Sequence, residues 1–224
     1  YGFSSDADFY AQDLKLNGLT TKATVLSNGK TLGEIVLSVP GKHNILNALA
    51  AVAVGIACGL DYEAIAGSLQ PFRGVQRRFQ KIGEINGVQI YDDYAHHPTE
   101  LKTTIAAAKT LNPRRIVAVF QPHRYTRTKL LAYEFGSAFK EADALLVNEV
   151  YSAGEVPIPG VSAQLIIDSI KEQTGQHVEY VQNKSALVSR LLEIIEPGDL
   201  VITLGAGNIW TVGVDLFNKL LSNQ

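Results

Sequence analysis

The sequence predicts an α/β protein whose larger part, from about residue 73 onward, forms a mostly parallel, doubly wound β-sheet. Strand-like and helix-like segments alternate after Pro71-Phe72, as they do where each helix crosses between parallel strands. Two strand-like segments, 116–120 and 200–204, are continuous runs of largely apolar residues, which is typical of strands covered on both faces. Apolar residues make up 46% of the 224 residues and charged residues 19%, an ordinary balance for a folded domain with a buried core.

The larger part is predicted to contain strands and helices in alternation. The predicted strands are 87–91, 115–120, 144–150, 178–181 and 200–204, and the predicted helices are 98–110, 127–140, 161–173, 184–195 and 209–221. Right-handed crossovers are expected between the parallel strands.

The first 72 residues have a different pattern. Alternating runs between residues 21 and 39 flank Asn28-Gly29, a dipeptide favoured in type I′ turns, and predict an antiparallel hairpin. The Ala-rich stretch 44–58 predicts a buried helix, and 61–69 predicts a shorter helix that ends before a proline. Residues 1–16 show no period and are assigned no element. We therefore expect two domains, 1–72 and 73–224.

Composition excludes several classes of function. A formal net charge of −2 leaves no electrostatic footprint for nucleic acid, and the apolar stretch 45–60 is too short to span a membrane. One cysteine, Cys58, suits a reducing compartment and is expected to be a buried structural thiol. The chain starts at Tyr1 and contains no methionine, which suggests a part of a longer polypeptide.

Polar or glycine-rich segments follow four of the predicted strands. They are 92–97, 121–127, 151–155 and 205–208, and three of the five histidines lie in the first two. Ligands of open α/β sheets bind beyond the carboxyl ends of the strands. The four segments therefore predict an active site at one edge of the sheet.

Each candidate residue in these segments has a plainer alternative. Asp92 or Asp93 could only cap a turn, and His96 could only satisfy backbone groups at a helix terminus. Arg124 and Arg127 are three residues apart at a predicted helix start, so they can face the same side. Surface ion pairing would be ordinary for them, but a clamp for a carboxylate or phosphate is favoured beside a strand end.

Two further segments carry candidate binding groups. Asn44 and Asn47 are three apart at the start of the first helix, where they could cap the helix or bind the edge of a purine, and the sequence does not decide between these. Arg77-Arg78-Phe79 supplies cationic donors just past the domain boundary. Gly205-Ala206-Gly207 is too short for a dinucleotide fingerprint and instead predicts a close approach of backbone to a ligand or a neighbouring loop.

Taken together, these motifs resemble the Mur ligase family, the ATP-dependent amide-forming enzymes of peptidoglycan precursor synthesis. The family pattern of Gly-x-His-Asn-x-x-Asn, Arg-Arg-Phe and Asp-Asp-Tyr-(Ala/Gly)-His is matched, and further segments are similar to the members that add L-alanine to UDP-N-acetylmuramate. The matching segments are 41–47, 77–79, 92–100, 120–127, 149–155 and 205–209.

The resemblance implies an organisation for the chain. Residues 1–72 would be the C-terminal part of the central ATPase domain, and residues 73–224 would be the Rossmann-like C-terminal domain. The UDP-binding domain, the phosphate-binding loop and the magnesium ligands would lie upstream. The isolated chain is therefore expected to be inactive, and the complete enzyme to be cytoplasmic and to use ATP, Mg²⁺, UDP-N-acetylmuramate and L-alanine.

The resemblance also implies roles for nucleotide-binding residues. Asn44 and Asn47 would hold adenine. Asp93 would accept hydrogen bonds from the ribose hydroxyls, and Arg78 would lie near the phosphates. No metal ligand is expected within this chain.

A second group of residues would serve the amino acid. Arg124 and Arg127 would hold the alanine carboxylate or the charged intermediate. Tyr94, His97 and His123 would line the amino-acid pocket.

Two other functions are compatible with the residues alone. One is a non-catalytic module that binds a nucleotide or carboxylate on the same sheet. The other is a metal-dependent hydrolase with Asp92, Asp93, His96 and His97 as ligands. Adjacent residues of an extended chain point to opposite sides, which disfavours the hydrolase.

Overall fold

The computed structural model describes residues 1–222, and the chain divides into two compact units. The first unit comprises residues 1–74 with 107–112, and the second comprises 75–106 with the residues from 113 onward. No helix within the described residues is long and apolar enough to cross a membrane. The mixed α/β architecture is the predicted class.

The first unit contains an antiparallel three-stranded sheet. Its strands are β1 (Phe9–Asn17), β2 (Thr20–Ser27) and β3 (Lys30–Leu37), in the order β1-β2-β3. The predicted hairpin is β2–β3, and its turn residues Asn28 and Gly29 have φ angles of 46° and 78°, as a type I′ turn requires. Strand β1 was not predicted, because most of its side chains are not buried and therefore leave no alternating pattern in the sequence.

Two helices cover this sheet: α1 (Lys42–Ala57) and α2 (Tyr62–Leu69). Their apolar residues, including Ile45, Leu49, Val52 and Ile65, join strand residues in one buried core. The prediction that Cys58 is buried is wrong, because the residue caps the C-terminus of α1 beyond its last buried position and is exposed.

The second unit contains a six-stranded sheet in the order β4-β5-β9-β6-β7-β8. In chain order the elements that follow α2 are β4 (Gln80–Ile85), β5 (Val88–Asp93), α3 (Pro98–Lys109), β6 (Arg115–Phe120), α4 (Tyr125–Leu130), α5 (Ala132–Phe135), β7 (Ala144–Val147), α6 (Gln164–Thr174), β8 (Glu179–Tyr180), α7 (Lys184–Ile194), β9 (Asp199–Leu204) and α8 (Trp210–Ser222). The pairs among β5, β9, β6, β7 and β8 are parallel, and β4 pairs antiparallel with β5.

Both faces of this sheet are covered, as the apolar strands predicted. Val117 and Val119 on β6 pack with residues of α7 and α8. Phe120 at the end of β6 contacts Phe135 and Phe139, with ring centroids 5.5 and 5.0 Å apart. These contacts explain why β6 carries no polar face.

The structure differs from the predicted elements of the second unit in several places. The edge strand β4 was missed because much of it is exposed and glycine interrupts its pattern. The single helix predicted over 127–140 is two short helices, since Leu131 departs from helical geometry with φ −112° and ψ 16°. Strand β7 ends at Val147, three residues before the predicted limit, and the following segment instead forms a bridge between Tyr151 and His123.

Candidate active site

The four polar segments named from the sequence meet at the carboxyl ends of β5, β9, β6 and β7. Backbone hydrogen bonds connect them: the Gly205 N–H donates to the Asp93 carbonyl (3.1 Å), and the Gln121 N–H donates to the Leu204 carbonyl (2.9 Å). The Tyr151 N–H donates to the Pro122 carbonyl (2.8 Å). Because β9 returns between β5 and β6, residues distant in sequence become neighbours at this edge.

Asp92 is a structural anchor. Its carboxylate is buried at 3% exposure, where it accepts hydrogen bonds from the Thr203 hydroxyl (2.7 Å) and from Arg77 Nε (2.9 Å). Both oxygens are thus engaged by protein groups. The turn-capping alternative does not describe Asp92, because its partners lie on other segments; the contact of that kind is made by Asp93, which accepts from the Ala95 N–H two residues on.

Asp93 is also largely enclosed, at 5% exposure. Its two oxygens accept backbone hydrogen bonds from Phe79 (2.8 Å) and Ala95 (2.7 Å). Burial raises the pKa of the Asp93 carboxyl, although these two N–H donors and Arg78 act to lower it. The carboxylate therefore holds the loop that follows β5, and its predicted contact with ribose stays a prediction.

The geometry does not favour the metal-dependent hydrolase. Both carboxylates are already engaged by donors from the protein. Within residues 1–222 no group of three or more His, Cys, Asp or Glu side chains is arranged to hold a metal ion. The Asp-Asp and His-His pairs thus do not converge on a common point.

His97 and Glu100 form the start of α3. The Glu100 carboxylate accepts from the backbone N–H groups of His96 (3.0 Å) and His97 (3.1 Å), and His97 Nδ1 accepts from the Thr99 N–H (3.3 Å). This is a capping arrangement in which His97, rather than His96, takes the helix-terminus role. Burial acts to raise the pKa of Glu100, but the donors from His96 and His97 outweigh it and the pKa is lowered.

His96 and Tyr94 lie on the open side of the same loop. His96 Nδ1 lies 2.9 Å from the Tyr94 carbonyl oxygen, so Nδ1 carries the proton in the neutral ring. The ring centroid of His96 lies 5.5 Å from that of Tyr94 and 5.8 Å from that of His123. The loop after β5 thereby reaches the loop after β6.

His123 and Arg127 form the polar centre of the loop after β6. Arg127 Nη1 donates to His123 Nδ1 (3.1 Å) and to the His123 carbonyl (2.9 Å), and the His123 ring stacks on Tyr151 at 5.6 Å. Burial, reinforced by the charge of Arg127, lowers the pKa of His123 to about 4. Because guanidinium can only donate, Nδ1 of the neutral ring accepts and Nε2 carries the proton.

Arg124 occupies an unusual backbone position. It is the N-cap residue of α4 with φ 73° and ψ 135°, a conformation that side-chain-bearing residues adopt at a cost. Its N–H donates to the Tyr151 carbonyl (2.8 Å). Glu155 stabilises the same turn by accepting from the Thr126 N–H (3.0 Å) and hydroxyl (2.6 Å). Arg124 and Arg127 therefore belong to one region, although only Arg127 lies within the helix.

The glycines of the loop after β9 allow neighbouring loops to approach. A Cβ atom on Gly205 would come within 2.9 Å of the Gln121 carbonyl, and one on Gly207 would approach the Tyr151 ring to 2.7 Å. The sequence left open whether these glycines let the backbone approach a ligand or a neighbouring loop. The contacts in the structure are with neighbouring loops.

Gln121 is a central residue that the sequence analysis did not single out. Its Nε2 donates to Asn148 Oδ1 (3.1 Å) and Asn208 Oδ1 (3.3 Å), so one amide joins three loops. Its Oε1 is buried without a hydrogen-bond partner among the described residues. The available signal was a polar residue directly after a buried strand.

Arg78 lies between the two anchored residues of the Arg77-Arg78-Phe79 segment. Its guanidinium is half-exposed, lies 3.8 Å from a Glu100 oxygen and lies 5.5 Å from the centroid of the Tyr94 ring. It is therefore a cation available at the surface of the second unit.

In the first unit, Asn44 and Asn47 lie in the first turns of α1. Asn44 Nδ2 donates to the Pro40 carbonyl (2.7 Å), and Asn47 Nδ2 donates to Asn44 Oδ1 (3.3 Å). No side chain caps the N-terminus of this helix, so the capping alternative is not what the structure has. Asn47 is exposed, and its predicted contact with a purine stays a prediction.

Comparison with known proteins gives a consistent result. Residues 77–207 match the family model described as Mur ligase, glutamate ligase domain. UDP-N-acetylmuramate–L-alanine ligases of Pelotomaculum thermopropionicum and Geotalea uraniireducens are 47% and 48% identical to this chain over 98% of its length, and the match covers 48% of each relative. The chain thus spans about half the length of these curated relatives.

A solved structure shares the fold over most of the chain. The UDP-N-acetylmuramate-alanine ligase MurC of Thermotoga maritima superimposes with a TM-score of 0.80 at 30% sequence identity, covering 97% of this chain and 46% of that one. With a family model that matches more than half of its residues, the chain belongs to the Mur ligase family.

Proposed function

We propose that this chain is part of an ATP-dependent ligase that joins L-alanine to UDP-N-acetylmuramate during peptidoglycan precursor synthesis. Relatives with this name are 47–48% identical across nearly the whole chain. Since the chain spans about half of their length, the activity is proposed for a longer polypeptide. Residues 1–72 would belong to its central ATP-binding domain and residues 73–224 to its C-terminal domain. An ATP-dependent enzyme of this kind would work in the cytoplasm.

The paired His123 and Arg127 side chains are the observation that carries this proposal. Arg127 uses one Nη to hold His123, and guanidinium has five N–H donors, so donors remain for a carboxylate. Burial and the charge of Arg124 lower the pKa of Arg127, which means that an anion placed here would relieve repulsion between two cations. The carboxylate of an amino acid supplies that charge.

The proposed reaction follows from amide chemistry. The γ-phosphoryl group of ATP passes to the lactyl carboxylate of UDP-N-acetylmuramate, which forms an acyl phosphate and releases ADP. The amine of L-alanine attacks the carbonyl carbon, and the tetrahedral intermediate expels phosphate as the amide forms. In such steps the protein contributes chiefly position and charge stabilisation.

The role proposed for His123 matches its protonation. Neutral His123 presents an Nε2–H, so it would donate a hydrogen bond to substrate oxygen and would not act as a base. Arg124 and Arg127 would hold the alanine carboxylate or the charged intermediate. Tyr94 and His97 would complete the pocket, with His97 also capping α3.

Nucleotide-binding roles are proposed for four residues, each described within its own unit. Exposed Asn47, with Asn44, would bind the adenine edge, to which an asparagine amide can both donate and accept. Arg78 would lie near the phosphates, and Asp93 would use its remaining lone pairs for the ribose. The ligands of Mg²⁺ are proposed to lie upstream, as the resemblance implies, and no step is assigned through the ion.

The proposal is tested with the complete polypeptide by measuring phosphate release as a function of alanine concentration. Arg127→Ala should raise the KM for alanine roughly tenfold or more, the effect of losing about one charge-assisted hydrogen bond, with the KM for ATP within about twofold of the wild type. Lys129→Ala, which removes an exposed cation from the same helix, is the matched control. An unchanged alanine dependence in Arg127→Ala would remove this residue from the pocket.

The isolated 224-residue chain provides a second test. It is expected to fold but to release no phosphate when given ATP, UDP-N-acetylmuramate and L-alanine. Alanine-dependent phosphate release by this chain alone would contradict the proposal that activity needs upstream domains.

A further inference from the structure

The Arg77 guanidinium connects the ends of two strands. Its Nε donates to Asp92 Oδ2 at the end of β5 (2.9 Å), and its two Nη atoms donate to the carbonyls of Gly205 (2.7 Å) and Gly207 (3.0 Å) beyond β9. Asp92 is in turn held by Thr203 of β9. One side chain thus fixes the glycine-rich loop against the adjacent strand.

The backbone around Arg77 is held in a strained form. Arg77 and Phe79 have φ angles of 60° and 47°, each in the left-handed region that costs energy for residues other than glycine. The Arg77 carbonyl accepts from the Tyr94 N–H (2.7 Å), and the Phe79 N–H donates to Asp93 (2.8 Å). The two aspartates of β5 therefore anchor this segment. Asp92 accepts a hydrogen bond from the Arg77 side chain, and Asp93 accepts one from the Phe79 backbone.

Arg78 is confined by these anchors on either side. The Tyr94 ring lies 5.0 Å from the Arg77 guanidinium and 5.5 Å from that of Arg78, close enough for cation–π attraction. Moving Arg77 would therefore shift both the backbone that presents Arg78 and the ring beside it.

We propose that Arg77 is a positioning residue: its guanidinium joins the ends of β5 and β9 and thereby sets the positions of Arg78, proposed to face the nucleotide phosphates, and of Tyr94, proposed to line the amino-acid pocket. Lysine cannot replace it, because a single ammonium group lacks the planar fork that reaches one carboxylate and two carbonyls in different directions. The consequence for ATP rests on the proposed function, whereas the connection between the two strands does not.

The connection is tested on the 224-residue chain by hydrogen–deuterium exchange. Arg77→Lys should speed exchange in peptides spanning 203–209 and 91–96 by roughly tenfold, as expected for the loss of about 1.4 kcal/mol of local stability. Arg114→Lys is the control, since Arg114 forms an exposed ion pair with Glu196 near the amino ends of β6 and β9, away from the carboxyl ends that Arg77 joins. Unchanged exchange in both peptides would overturn the connection. If Arg77→Lys does not fold, the milder Asp92→Asn is used, with the same two peptides expected to respond.

The positioning role is tested by kinetics of the complete polypeptide. Arg77→Lys should raise the KM for ATP roughly tenfold with kcat changed less than about threefold, whereas a purely structural defect would lower the active fraction and leave KM unchanged. An unaltered KM would overturn the positioning role. Wild-type protein without ligase activity would refute the proposed function. The exchange experiment would still show whether Arg77 connects the ends of β5 and β9.

Discussion

Replacing Thr203 with valine tests whether Asp92 is held by a buried hydrogen bond. The hydroxyl is fully buried and donates to Asp92 Oδ1 at 2.7 Å, while valine keeps the shape of the side chain. A hydrogen bond to a charged group contributes roughly 1.5–3 kcal/mol, so Thr203→Val should lower the free energy of unfolding by about 2 kcal/mol. For a unit of this size, that corresponds to roughly 4–8 °C in melting temperature.

The single tryptophan makes the measurement specific. Trp210 is the only tryptophan and lies at the start of α8, so its fluorescence in a urea titration reports on the second unit. Thr203→Ser is the matched control, because it keeps the hydroxyl and removes one methyl group, a loss of about 1 kcal/mol. A destabilisation by valine below about 0.5 kcal/mol, or smaller than that by serine, would refute the anchoring of Asp92 by this bond.

Three other predictions concern single positions. Gly207→Ala should destabilise the second unit by about 1–3 kcal/mol, because a Cβ there clashes with the Gln121 side chain. Gly67→Ala, in open space within a helix, should instead stabilise the first unit by about 0.5–1 kcal/mol. Thermal melting measures both variants, and equal effects would contradict the packing argument. The depressed pKa of His123 means that its contribution to stability is full above pH 6.5 and is lost as pH falls through about 4; His123→Asn should flatten that decline in urea titrations between these pH values, and an unaltered slope would argue against it. In the complete polypeptide, Asn47→Ala should raise the KM for ATP about tenfold, the cost of roughly one hydrogen bond, and unchanged nucleotide affinity would remove Asn47 from the site.

Helices and strands were predictable from the sequence where the pattern of apolar residues reflects which of their faces are buried. Strands β6 and β9 are apolar because helices cover both of their faces, and the Asn28-Gly29 turn requires positive φ angles that these residues tolerate. Strands β1 and β4 were missed because edge strands expose much of their surface and so need no apolar alternation. The break between α4 and α5 was missed because neither proline nor glycine marks it.

The candidate site was predictable as a set of loops but not as a set of contacts. Polar residues directly after buried strands identified the loops that contain Asp93, His123 and Arg127. The pairing of Asp92 with Arg77, 15 residues away, has no local signal, because the two residues meet only when the Arg77 segment folds back beside β5. For the same reason Gln121 was not singled out as the link among three loops.

The sequence by itself determined the fold class, the edge of the sheet at which polar groups gather, and the resemblance to Mur ligases, because local patterns and separated motifs carry that information. Only the tertiary structure decided what each group does at that edge. The position of β9 between β5 and β6 brings Thr203 and the glycine carbonyls to Asp92 and Arg77, which turns an apparent metal-binding pair into anchors. His123 meets Arg127 locally, four residues along the chain, but the burial that lowers the pKa of the imidazole comes from the folded structure.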